Sequence, residues 1–167
     1  MRTLIPNYSS HRMVRDYLEM YYEPTAMGFK NMLSGSFKNA KRICSWKEEI
    51  QVRFSSLKLG ILRVDGMDGD SCDAGQDIHV TLSLDPGAMK REEILVQLVV
   101  GPWDGNNFTE TPDITPLSYE RTTSDQSLVF SCNYQTRHNG SHAYGVRVIP
   151  MIPELGSYLD SHLCVWA

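Results

Sequence analysis

Near residue 55 the spacing of apolar residues changes from a period of three to four to a period of two, and this limits the fold more than any single motif. From there the chain is a series of short alternating runs: LKLGILRV (57–64), IHVTLSL (78–84), ILVQLVV (94–100), ITPLSYE (114–120), LVFSCNY (128–134), YGVRVIP (144–150) and LCVW (163–166). Between them lie the turn-forming clusters DGMDGDSCDAG (65–75), DPG (85–87), WDGNN (103–107) and RHNGS (137–141). Glycine, aspartate and asparagine tolerate turn backbone that other residues resist. Strands at this spacing with no helices between them predict a seven-stranded antiparallel β-sandwich of immunoglobulin-like class, spanning 55–167.

Residues 1–54 read as a separate helical segment. Met13, Val14, Tyr17, Leu18 and Tyr21 recur at helical spacing, with Ser9 and Ser10 placed to cap and Pro24 to stop the run. PTAMGFKNML then forms a second helix. A third follows Gly35, with Ser36 as cap and Phe37, Ala40, Ile43, Cys44, Trp46, Ile50 and Phe54 on its apolar face. About three helices are therefore expected before the strands. The first has an aromatic face built to be buried.

Charge and composition narrow the function. A formal charge of −4 gives no basic footprint for nucleic acid. No apolar run approaches the ~18 residues of a membrane span, and the first residues lack the charged-then-apolar order of a signal peptide, so a cytoplasmic protein is expected. Cys44, Cys72, Cys132 and Cys164 are too scattered for a zinc site and are expected to be free, buried thiols. The sequons at Asn7, Asn107 and Asn139 then read as chance matches.

The search for chemistry is mostly negative. Neither dinucleotide nor P-loop glycine patterns occur, nor H-E-x-x-H, nor G-x-S-x-G. Asp65, Asp68, Asp70 and Asp73 have the carboxylate density of a calcium loop without its final glutamate, and read as a solvated turn. His138 and His142 flank a reversal, which denies them helical i, i+4 geometry, so no metal site is assigned. Trp103, beside a turn, is a candidate for stacking on a sugar ring, although half-buried tryptophans commonly anchor sheet edges.

Several patterns together resemble a known family. Arg2-Thr3-Leu4-x-Pro6-x-Tyr8-Ser9 with Arg12-Met13-Val14-x-Asp16-Tyr17, then Trp46-Lys47, then Val100-Gly101-Pro102-x-Asp104, are similar to the last part of the long prokaryotic α-glucan phosphorylases. So are Gly140-x-His142-x-Tyr144-x-Val146-Arg147-Val148-x-Pro150-x-x-Pro153-x-Leu155 and the final Val165-Trp166-Ala167. These are pyridoxal-phosphate-dependent glycosyltransferases, which move a glucosyl unit from the non-reducing end of an α-1,4-glucan to orthophosphate, giving glucose 1-phosphate with retention.

The resemblance implies that this chain is a C-terminal piece of such an enzyme and that the upstream catalytic domains of the same chain are its partners. The family holds its cofactor through a lysine in a Gly-Met-Lys-type segment upstream. Ala26-Met27-Gly28-Phe29-Lys30 is only a loose echo of that segment, so no catalytic or cofactor-binding residue is carried over. Two roles remain open for the piece itself. It is structural, bracing the catalytic domains or forming a homodimer contact, or it is a carbohydrate-binding module. In the second case two or more of Trp103, Tyr119, Tyr134 and Tyr158 should line one exposed face. No aromatic pair at strand spacing two is visible, which favours the structural role.

Overall fold

The computed structural model describes residues 9–136, 139–151 and 161–167. The chain divides into two compact units, Met1–Lys47 and Glu48–Ala167. The change of period at 55 matches the end of the helical region at Phe54, but the unit boundary lies earlier. The last turns of the helix therefore belong with the strands.

The first unit is helical among the described residues. Helix α1 spans Ser10–Tyr17, and Ser9 caps it by accepting a hydrogen bond from the Arg12 amide on its side-chain oxygen. The expected stop at Pro24 does not occur. A π-helical segment, Leu18–Tyr22, carries the chain on into α2, Glu23–Phe54. Proline lacks an amide and its ring excludes the carbonyl four residues back, and a widened turn just before it relieves that conflict. Pro24 then sits in the first turn of the new segment, where a missing donor costs little. The expected first and second helices are thus fused across Pro24, while the expected break between the second and third falls at the Gly35 hinge. A kink remains at the Gly35 hinge: the backbone leaves helical geometry at Ser34, and Gly35, Ser36 and Phe37 take positive φ.

The second unit is mainly β, with eight strands among the described residues rather than seven. They are β1 (Lys58–Asp65), β2 (Asp77–Asp85), β3 (Ile94–Pro102), β4 (Asp113–Pro116), β5 (Ser118–Thr122), β6 (Leu128–Gln135), β7 (His142–Pro150) and β8 (Val165–Trp166). The extra strand comes from the ITPLSYE run, which breaks at Leu117. Its two halves join different sheets, because the Leu117 amide donates to the Val96 carbonyl on β3 while Ser118 and Tyr119 pair with β6. The result is two four-stranded antiparallel sheets, ordered β1-β2-β6-β5 and β4-β3-β7-β8.

Register explains the core. Ile78, Val80, Leu82 and Leu84 on β2 stand opposite Tyr134, Cys132, Phe130 and Leu128 on β6, so all eight share one face. In the other sheet Val96 and Leu98 stand opposite Val148 and Val146, and these four are sealed from solvent. The opposite face of β3 and β7 is also covered at Gln97, Val99 and Ile149, which is why ILVQLVV is a continuous apolar run and not an alternating one. Gln97 is satisfied there by Arg147, whose Nε donates to its Oε1 at 2.9 Å.

Candidate functional site

The core opens at one end into a cleft of about 430 Å³. One step beyond the sealed Leu98 and Val146 pair, Val100 stands opposite Tyr144; on the other sheet Ile78 stands opposite Tyr134. Tyr134 is 8% exposed, but Tyr144 is 48% exposed although it lies in phase with the core. Met67, Ile78 and Val100 give the cleft apolar surface. Asp70, Ser71, Asn139 and His142 surround it with polar groups.

Local turn chemistry places these groups. In the acidic segment Asp68 and Ser71 exchange backbone hydrogen bonds at 2.8 and 3.1 Å, closing a tight turn around Gly69 and Asp70. That segment is tied to the end of β6, where the Gly75 amide donates to the Thr136 carbonyl at 2.7 Å and the Thr136 hydroxyl donates to the Asp73 carbonyl at 2.7 Å. The His142 ring Nδ1 lies 3.0 Å from the Gly140 carbonyl. Tyr134 is oriented by its hydroxyl, which donates to Asp113 Oδ2 at 3.1 Å and so links β6 to β4. Among the described residues no three acidic, histidine or cysteine side chains gather as metal ligands.

The four aromatic residues singled out from the sequence are not brought together on one exposed face among the described residues. Trp103 is half-buried, edge-on to Phe108 at 5.3 Å, and its amide donates to the Ser141 carbonyl beside the cleft. Tyr119 is half-buried on β5, edge-on to Phe130, with the Arg91 guanidinium 4.7 Å above its ring. Tyr134 lines the cleft, and Tyr158 lies outside the described residues, as does His138. The sequence points to His142 only as a possible metal ligand and to Tyr144 only as part of the family pattern, and to neither as a cleft residue. The available signal was the phase of Tyr144 with Val146 and Val148 at the start of a strand. The cysteines also differ from expectation: all four are free, yet Cys44, Cys72 and Cys164 are exposed and Cys132 is only half-buried.

A second feature lies in the first unit. Met13, Val14, Tyr17, Leu18, Met20, Tyr21 and Tyr22 are all exposed, as are Met27, Phe29, Leu33 and Phe37 beyond them. Met13, Tyr17, Met20 and Tyr21 line a hollow of about 590 Å³ whose described walls all belong to this one helical run. The Tyr17 ring packs against those of Tyr21 and Tyr22, with centroids 5.8 and 6.5 Å apart. A helix apolar on more than one side is suited to being enclosed.

Comparison with known proteins agrees on one family. The model of the glycogen phosphorylase C-terminal domain matches residues 51–167. The chain is 24% identical over 157 residues to the glycogen phosphorylases of Mycobacterium tuberculosis (strain H37Rv) and Mycobacterium bovis, covering 94% of this chain and 18% of each relative. It is 25% identical over 154 residues to the maltodextrin phosphorylase of Thermococcus litoralis, covering 90% of this chain and 17% of that one. It therefore spans less than a fifth of the length of these curated relatives. No solved structure matches it. The lysines do not fit the pyridoxal phosphate that the family resemblance implies: Lys30, Lys38, Lys41, Lys47, Lys58 and Lys90 are all exposed, whereas a Schiff-base lysine is activated by desolvation.

Proposed function

Because the chain belongs to the glycogen phosphorylase C-terminal domain family and forms the C-terminal part of an α-glucan phosphorylase, we propose that it is a non-catalytic domain whose helical run docks on the upstream catalytic domains of the same chain. The parent, in this reading, is a cytoplasmic enzyme that transfers a glucosyl unit from α-1,4-glucan to orthophosphate. Its pyridoxal phosphate is held by upstream residues. The strand order supports an immunoglobulin-like sandwich as the scaffold of the second unit.

The observation that carries the docking role is the exposed apolar surface from Met13 to Phe37. Fully burying one such side chain is worth about 1.5–3 kcal/mol, so an uncovered run of them favours any partner that encloses it. With the upstream domains absent, the nearest substitute is a second copy of this chain. The 167-residue chain is therefore expected to self-associate through residues 10–24, and Tyr17→Glu with Tyr21→Lys to make it more monomeric in sedimentation. A wild-type chain that stays a clean monomer at high concentration, with those side chains protected, would refute the docking role.

A second reading, a carbohydrate-binding module that holds glucan near the active site, is favoured by the cleft with its two tyrosines. It is compatible with the first, since cleft and helix are different surfaces.

A further inference from the structure

We infer that the cleft at the loop end of the two sheets binds a short neutral sugar chain, an α-glucan segment, with Tyr144 as the stacking platform. This deepens the carbohydrate-binding reading and rests on it.

The first ground is the unused burial of Tyr144. Along β3 and β7, the pairs Val96 with Val148 and Leu98 with Val146 close the core completely. The next pair keeps the same phase, yet the tyrosine at position 144 leaves about half its surface open. A large aromatic ring in a core position gains by being covered, and nothing among the described residues covers it. The opposite wall repeats the chemistry with Tyr134, whose hydroxyl is held by Asp113. Two aromatic side chains, one from each sheet, therefore border a single space.

The second ground is the kind of polarity gathered there. The described lining residues include one carboxylate, Asp70, one imidazole, His142, one amide, Asn139, and the hydroxyls of Ser71 and Thr136, with no lysine or arginine. Among the described lining residues a phosphate or nucleotide would meet a carboxylate and no lysine or arginine to offset it. Sugar hydroxyls both donate and accept, which this mixture can satisfy: the carboxylate accepts, while the amide, imidazole and hydroxyls do either. The apolar faces of a pyranose ring match the tyrosines, Ile78 and Val100. The volume of about 430 Å³ falls in the range of small-ligand clefts, roughly 300–1,000 Å³, and leaves space for a short oligosaccharide but not a branched polymer.

Calorimetric titration of the 167-residue chain with maltoheptaose, and separately with orthophosphate, tests this. Saturable binding of maltoheptaose is expected. Tyr144→Ala should weaken it about three- to tenfold, as loss of an aromatic contact does, and Tyr144→Phe should leave it nearly unchanged. Asp70→Asn, at an exposed position that does not threaten folding, should also weaken it. Trp166→Ala, on an exposed tryptophan outside the cleft lining, should not. Binding that survives both Tyr144→Ala and Asp70→Asn would overturn the assignment of the cleft while leaving the carbohydrate-binding reading intact. The absence of any saturable maltoheptaose binding would overturn both. Orthophosphate binding abolished by Tyr144→Ala would overturn the neutral-sugar class.

Discussion

Glu93 joins three segments of the second unit. Its carboxylate accepts a forked pair of hydrogen bonds from Arg53 at 2.7 and 3.0 Å and a third from the Lys90 amide at 3.1 Å, while its carbonyl accepts from the Met151 amide at 2.8 Å. Burial by itself pushes this carboxyl up, but Arg53 and the Lys90 amide outweigh it and hold Glu93 below the ordinary glutamate range. A carboxylate depressed in the folded state stabilises the fold above its unfolded pKa, about 4.3, and loses that contribution as pH falls through the lower folded value. Unfolding measured from pH 6 to 3 should therefore show a steeper acid-side loss in the wild type than in Glu93→Gln; equal slopes would count against the ion pair. Arg53→Ala should cost about 1–2 kcal/mol, between a surface pair and a buried one. Gly87 is a second residue whose identity is forced. It has φ of +54°, and an added Cβ would lie 2.6 Å from the Ser56 carbonyl oxygen, beside the Ser56 hydroxyl that accepts from the Ala88 amide. Gly87→Ala should lower stability by at least about 1 kcal/mol in a denaturant titration, from left-handed strain together with the clash.

Among the elements, the β4–β5 junction has the largest effect on the architecture. A single residue, Leu117, carries the chain from one sheet to the other, is buried, and bonds back to Val96 through its amide. Leu117→Ala should cost about 2–5 kcal/mol as a buried truncation, readable as a lower urea midpoint; a shift under about 0.5 kcal/mol would show that the junction is held by other contacts. The π-helical segment at Leu18–Tyr22 is the corresponding feature of the helical run. It lets the helix pass Pro24, and it carries Met20, Tyr21 and Tyr22 on the exposed apolar surface.

On the scale of the whole molecule, the chain is one part of a larger design. Its match to the phosphorylase C-terminal domain covers the strands and the end of α2, while the longer alignments to curated relatives cover at least 90% of the chain. Since every lysine is exposed, pyridoxal phosphate titrated into this chain should react weakly and without saturation. Saturable, stoichiometric uptake through one lysine, seen as a discrete near-visible absorbance band, would place a cofactor site where the exposed lysines give no ground for one.

Local chemistry was legible from the sequence: where the turns fall, which runs alternate, where the helical region ends, and that Gly35 bends it. Each follows from neighbours a few residues apart. The family was legible as well, because Val100-Gly101-Pro102, the His142 to Pro150 run and the final Val165-Trp166-Ala167 keep an order that composition alone does not produce. The structure decided what depends on partners distant in the chain. Leu117 splits a run because Val96 is there to accept its amide, and Tyr134 is fixed at the cleft because Asp113 on β4 accepts from its hydroxyl. Tyr144 becomes a cleft wall because residues 67–72 and the end of β6 converge beside it. Alternation says which side of a strand a residue faces. Only the packing of one sheet end against its loops determines whether that side is closed or open.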